Sequence, residues 1–166
     1  VAVHGLAGNT VLKEGDLVTL DVVVEHEGWH ADAAWTYGVG ALDPDSRRLL
    51  RAAWAASVAG IESTRAAGRI GDIGAAVQSA ADRYGCSVLE PFVGHGIGRE
   101  IHEGPTVFHT GEAGVGEPIV PGMVLTVEPV ITLEPTEVAP GKDGFSLVTE
   151  TGKPAAQFEQ TLAVTA

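Results

Sequence analysis

Between Leu17 and Val24 apolar and β-branched residues crowd together, broken only by Thr19 and Asp21, after the turn-forming run Lys13-Glu14-Gly15-Asp16. A run of this kind predicts a strand. His26-Glu27-Gly28 interrupts it, and residues 29–37 resume in the same style before Gly38 to Gly40 end the pair. The two segments read as a hairpin. The period then changes. Asp43-Pro44 offers a helix N-cap followed by a first-turn proline, and Leu49, Leu50, Ala53, Trp54, Val58 and Ile61 recur at helical spacing up to Ala66-Ala67-Gly68. A second helix is expected over about 70–84, with Ile73, Val77, Ala80 and Tyr84 on one stripe and Gly85 as its stop. From Ser87 onward the pattern returns to short strands at 87–89, 94–98, 124–128, 145–149 and 157–164. Residues 110–122 and 133–144 are rich in Gly, Pro and Glu and read as loops. Strands, two helices, then strands predict an α+β domain with helices segregated from an antiparallel sheet.

Composition narrows the class. The chain of 166 residues has the length of one domain, and 45% apolar against 19% charged residues excludes a disordered chain. The formal net charge of −12 repels a phosphate backbone, so nucleic acid is not an expected partner. No apolar run approaches a membrane helix and no signal segment opens the chain, so a soluble, cytoplasmic protein is expected. The single Cys86 excludes an internal disulfide and reads as a buried thiol. The chain opens on Val1 without a methionine, as a processed protein or a fragment does.

The carboxylates carry the chemical signal. A two-residue loop at His26-Glu27 sets Asp21 directly opposite Asp32, where two like charges destabilise a strand pair. Such a pair calls for a shared proton or a shared cation. Glu128, at the end of an apolar strand and before Pro129, and Glu159, between Phe158 and Gln160, are placed as awkwardly. Each one alone is also compatible with a solvent-facing or edge position. Together with a histidine they would make an oxygen-rich site for hard or borderline divalent metals. His95, in the glycine-spaced run 94–98, and His102 are the candidate histidines, whereas His26, His30 and His109 are read as surface residues. Gly94, Gly96 and Gly98 would let the backbone approach a ligand, but the spacing is not a dinucleotide fingerprint. His102-Glu103-Gly104-Pro105 is not a zincin helix, because the second histidine is missing and Pro105 breaks a helix.

Several stretches, in this order, resemble the catalytic domain of the methionine aminopeptidases (type I-like), and more broadly the pita-bread metallopeptidases. They are His4-Gly5, residues 15–22, Ala31-Asp32-Ala33-Ala34, residues 94–99, His102-Glu103-Gly104-Pro105, residues 122–129 and residues 156–161. The resemblance implies a pita-bread fold, with helices on the outer face of a curved antiparallel sheet. It implies a single catalytic domain over 1–166 that lacks the family's first-half helices at its N-terminus. It also implies two divalent ions, drawn from Co, Mn, Fe or Zn. Asp21 would serve one ion, His95 and Glu128 the other, and Asp32 and Glu159 would bridge them. By the same resemblance a water activated between the ions attacks the peptide and Glu128 shuttles its proton. His102 then stabilises the oxyanion, His4 contacts the substrate, and Ile101 and Phe145 line the methionine pocket. The expected partner is a peptide or nascent-chain N-terminus, and the complete enzyme is expected to be a monomer, with the missing N-terminal segment as an associate. Ala33 and Gln160 depart from the family's usual threonine and histidine. A proline-directed exopeptidase of the same fold is the nearest rival, against which stand the ending 156–161 and Val130 after Glu128-Pro129. A non-catalytic binding protein of this fold would characteristically have lost ligands, and none is lost here.

Overall fold

A long hairpin leads the structure. In the computed structural model, which describes residues 1–166, β1 (Leu17–His26) and β2 (Trp29–Gly38) pair antiparallel along their full length. The register differs by two residues from the one expected: Asp21 faces Ala34, and Asp32 faces Val23. The loop is Glu27-Gly28, both with positive φ (52° and 77°), the two-residue turn whose twist suits a hairpin. A shift of two leaves the faces unchanged, so Asp21 and Asp32 still share one side of the sheet as diagonal neighbours. Arg99 fixes the tip: its guanidinium lies 3.9 Å from the Trp29 ring centre and donates to the carbonyls of Glu27 and Gly28.

Two helices follow, α1 (Pro44–Ser63) and α2 (Ile70–Asp82). Asp43 caps α1 by accepting from the backbone N–H groups of Asp45 and Ser46. The buried stripe of α1 is made of small residues, Ala52, Ala53, Ala56, Ser57 and Gly60 beside Leu49, rather than of Val58 and Ile61. Small side chains let α1 come close to α2 and to the strands beneath. Ile73 and Val77 of α2 complete a core with Val107, Leu125, Val127 and Ile131.

The remaining strands are short. They are β3 (Ser87–Val88), β4 (Gly94–Gly96), β5 (Glu103–Val107), β6 (Val124–Val127), β7 (Val130–Thr132), β8 (Val138–Pro140), β9 (Leu147–Thr149), β10 (Ala155–Gln157) and β11 (Gln160–Ala163). They form sheets in the orders β11-β6-β4-β5, β10-β7-β3 and β8-β9, all antiparallel. The segment expected as one strand over 157–164 is two strands, with Phe158 and Glu159 between them. β5, β7 and β8 were not expected. β5 contains Pro105 and β8 lies in the Pro/Gly-rich stretch 133–144, so each reads locally as loop. The glycines of β4 serve packing rather than a ligand: a Cβ on Gly94 would meet the Thr126 carbonyl oxygen at 2.4 Å, and one on Gly96 that of Gly104 at 2.1 Å. On the outer face of β1, Leu20, Val22 and Val24 are exposed, an unusual density of apolar side chains in solvent.

Candidate metal centre

Each ligand-type side chain is delivered by a different piece of this frame. Asp21 comes from β1, Asp32 from β2 and His95 from β4, while Glu128 follows β6 and Glu159 sits in the break between β10 and β11. Backbone stitching brings the pieces together. Glu159 N–H donates to the Ala34 carbonyl at 2.8 Å, and Trp35 and Phe158 form a β-bridge. The Thr161 hydroxyl accepts from Asp32 N–H at 2.9 Å and donates to the Asp32 carbonyl at 2.8 Å, standing in for a strand partner. Thr161→Val is therefore expected to leave the Asp32 amide without this partner and cost about 1–2 kcal/mol in urea denaturation, while Thr161→Ser stays close to wild type.

Oxygen and nitrogen atoms of Asp32, His95 and Glu159 lie within 4.8 Å of one another. His95 Nε2 stands 3.4 Å from Glu128 Oε1, and His95 Nδ1 lies 2.9 Å from the Gly96 carbonyl oxygen. With Nδ1–H donating to that carbonyl, the Nε2 lone pair points toward a carboxylate, an arrangement that a cation between them relieves. Asp32 Oδ1 and Glu159 Oε1 are buried without a hydrogen-bond partner. Thr126 links two members: its hydroxyl accepts from His95 N–H at 2.9 Å and donates to Glu128 Oε1 at 2.8 Å.

Charge crowding shows in the proton affinities. Burial, with Asp32 and Asp21 close by, raises Glu128 to about 7 against the pull of the Thr126 hydroxyl. Burial and the charges of Glu128, Asp32 and Asp21 raise Glu159 to about 9. Asp21 is exposed along the strand, yet its carboxylate faces the cavity, where desolvation first and Asp32 second push it up. Clustered carboxylates with unpartnered buried oxygens and one imidazole fit a divalent cation, which would replace the shared protons.

The cavity holding this cluster is open and about 610 Å³ in volume. His4, Ile101 and His102 line it together with Asp21, Asp32, His95, Glu128 and Glu159. Backbone bonds of Ala2 and Val3 to Leu147 bring His4 to its mouth. His102 packs edge-on against His95, ring centres 4.4 Å apart. Phe145 is not in the lining: it is 58% exposed and lies beside His4 at 5.9 Å between ring centres. His109, expected at the surface, is instead 2% exposed and bonded to the Glu128 backbone. The signal for it was the alternation Pro105, Val107, His109, which continues the buried face of β5 by one more step.

Residues 1–166 match metallopeptidase family M24, and the chain belongs to that family. It is 42% identical over 166 residues to methionine aminopeptidase A of Synechocystis, covering 99% of this chain and 66% of that protein. Methionine aminopeptidase 1 of Bacillus subtilis is 36% identical over 163 residues, with 98% and 66% covered. The crystal structure of methionine aminopeptidase from Rickettsia prowazekii superposes with a TM-score of 0.91 at 38% identity, covering 95% of this chain and 64% of that one. The pita-bread architecture expected from the sequence is thus the architecture found. The chain spans 66% of the length of the two curated relatives. None of its helices is long and apolar enough to cross a membrane.

Proposed function

We propose that the protein is a metalloaminopeptidase that removes the N-terminal methionine from peptides and nascent chains. The observation that carries this reading is the convergence of Asp32, His95 and Glu159, with unpartnered buried carboxylate oxygens, in a family M24 chain. The names of its similar relatives point to methionine as the residue removed.

Five residues would hold two divalent ions: Asp21 on one, His95 and Glu128 on the other, Asp32 and Glu159 shared. When bound, such ions polarise the scissile carbonyl and lower the pKa of water. The chain's own residues do the rest. Glu128, whose carboxylate lines the cavity beside His95, would take a proton and return it to the leaving amine. His102, in the lining beside His95, would stabilise a developing oxyanion, and His4, also in the lining, would contact the peptide near the leaving amide. Val3, Phe92, Val93 and Ile101 give the lining an apolar side suited to an unbranched thioether side chain.

The test is release of free methionine from Met-Gly-Met-Met by the whole protein with Mn²⁺, Co²⁺ or Fe²⁺. Methionine release that exceeds cleavage of an X-Pro peptide is expected. Silence with every metal rejects the reading, and preferential X-Pro cleavage replaces it with a proline-directed one. Cys86→Ser is expected to retain wild-type turnover, because Cys86 is buried beside Arg48 on α1, away from the cavity lining.

A further inference from the structure

Glu128 N–H lies just past the last residue of β6, beyond the ladder that β11 and β4 supply, and Pro129 follows with no N–H of its own. A backbone free to turn at that point would carry the Glu128 carboxylate with it. The amide is not free. It donates to His109 Nε2 at 3.1 Å, from a side chain 2% exposed. The other ring nitrogen, Nδ1, lies 3.2 Å from the Phe92 carbonyl oxygen, three residues before His95. A ring that accepts at Nε2 must carry its proton at Nδ1, and Phe92 offers that proton an acceptor.

We propose that His109 is a positioning residue that ties the Phe92–His95 segment to Glu128 through one neutral imidazole of fixed tautomer, holding the His95 and Glu128 side chains at one separation. Both ring nitrogens are committed to backbone, so His109 is not itself a ligand. An apolar core residue of similar size would fill its volume but could neither accept from Glu128 nor donate to Phe92.

The inference rests on reading His95 and Glu128 as metal ligands, and the experiment separates the two claims. Metal-stripped wild-type protein, His109→Gln and His109→Leu are titrated calorimetrically with Mn²⁺. In parallel, the His109 tautomer of the wild type is read from long-range ¹⁵N–¹H correlations. His109→Leu is expected to bind Mn²⁺ about 10–100-fold more weakly, the usual cost of losing an outer partner of a ligand. Gln keeps an acceptor and a donor, and His109→Gln is expected to stay within about threefold of wild type. The ring is expected as the Nδ1–H tautomer. Wild-type affinity in His109→Leu, loss in His109→Gln equal to that in His109→Leu, or an Nε2–H ring each overturns the proposal. If His109→Leu does not fold, the Gln variant and the tautomer decide it: affinity retained with an Nδ1–H ring supports the proposal, and affinity lost overturns it. No Mn²⁺ binding by the wild type sinks the metal reading instead, and the tautomer alone then decides the contact between His109 and Glu128.

Discussion

Glu159→Gln is expected to weaken Mn²⁺ binding by more than about 100-fold while making the metal-free protein more stable, by about 1–3 kcal/mol at pH 7–8. The two effects have one cause. Glu159 is 2% exposed, has an unpartnered Oε1, and sits among Glu128, Asp32 and Asp21. Without a cation, folding at neutral pH must either protonate it or bury its charge next to theirs, and both cost free energy. Glutamine has the same shape and no charge, so that cost disappears, and with it the ligand. Asp32→Asn is expected to lose Mn²⁺ binding by a similar factor, since Asp32 offers its own orphaned oxygen to the same point. Calorimetric Mn²⁺ titration and urea denaturation of the metal-stripped protein, run side by side, check both halves. A Glu159→Gln variant that loses stability, or that binds Mn²⁺ like wild type, would show that the cluster is not arranged around a cation.

The opposite response is expected from residues that merely fill the core. Leu49 and Ile73 are buried in the same frame, and shortening either would lower stability with no gain at any pH. A buried carboxylate crowded by other carboxylates differs from such a core residue, because neutralising it removes a cost of folding.

How much of this could be read from residues follows from pattern strength. The hairpin and both helices were legible because each runs for ten residues or more with a sustained period. The pairing of Asp21 with Asp32 on one face survived a wrong loop position because strand faces repeat every two residues, so an error of two moves partners but not sides. Knowing that Glu27 takes positive φ was the missing fact, and glutamate gives no such hint. β7 and β10 have three residues each and hold their places by tertiary contact, leaving almost no local signature. The candidate ligands Asp21, Asp32, Glu128 and Glu159 stood out as charges beside apolar residues. Their supports did not: Thr161 and Thr126 look like ordinary strand threonines, and His109 became meaningful only once β5 was known to continue its buried face toward Glu128.

Stability of the metal-free protein is expected to fall as pH rises from about 4.5 to about 9, and Mn²⁺ is expected to reverse the trend. Glu128 and Glu159 have folded proton affinities raised from the ordinary 4.5 to about 7 and about 9, so across that window the folded state holds protons the unfolded chain has lost. Stability from such groups is fully present below 4.5 and is lost as pH climbs through the folded values. His109 works against them at first. Its affinity is lowered from 6.5 to about 4, so its share is lost as pH falls from 6.5 toward 4 and is complete above 6.5. The decline is therefore shallower while His109 titrates against it and steeper once pH has passed the ordinary histidine range. Below pH 4 the carboxylates of Asp43, Asp72 and Asp143, held low by backbone N–H donors and, for Asp43 and Asp143, the Ser46 and Ser146 hydroxyls, are protonated, and stability drops again on the acid side. Saturating Mn²⁺ competes with the shared protons, so its apparent affinity is expected to grow about tenfold per pH unit for each proton displaced. Urea midpoints at half-unit steps from pH 4 to 9, with chelator and with Mn²⁺, give two curves that should diverge as pH rises. Parallel curves would mean that the buried carboxylates and the metal do not meet.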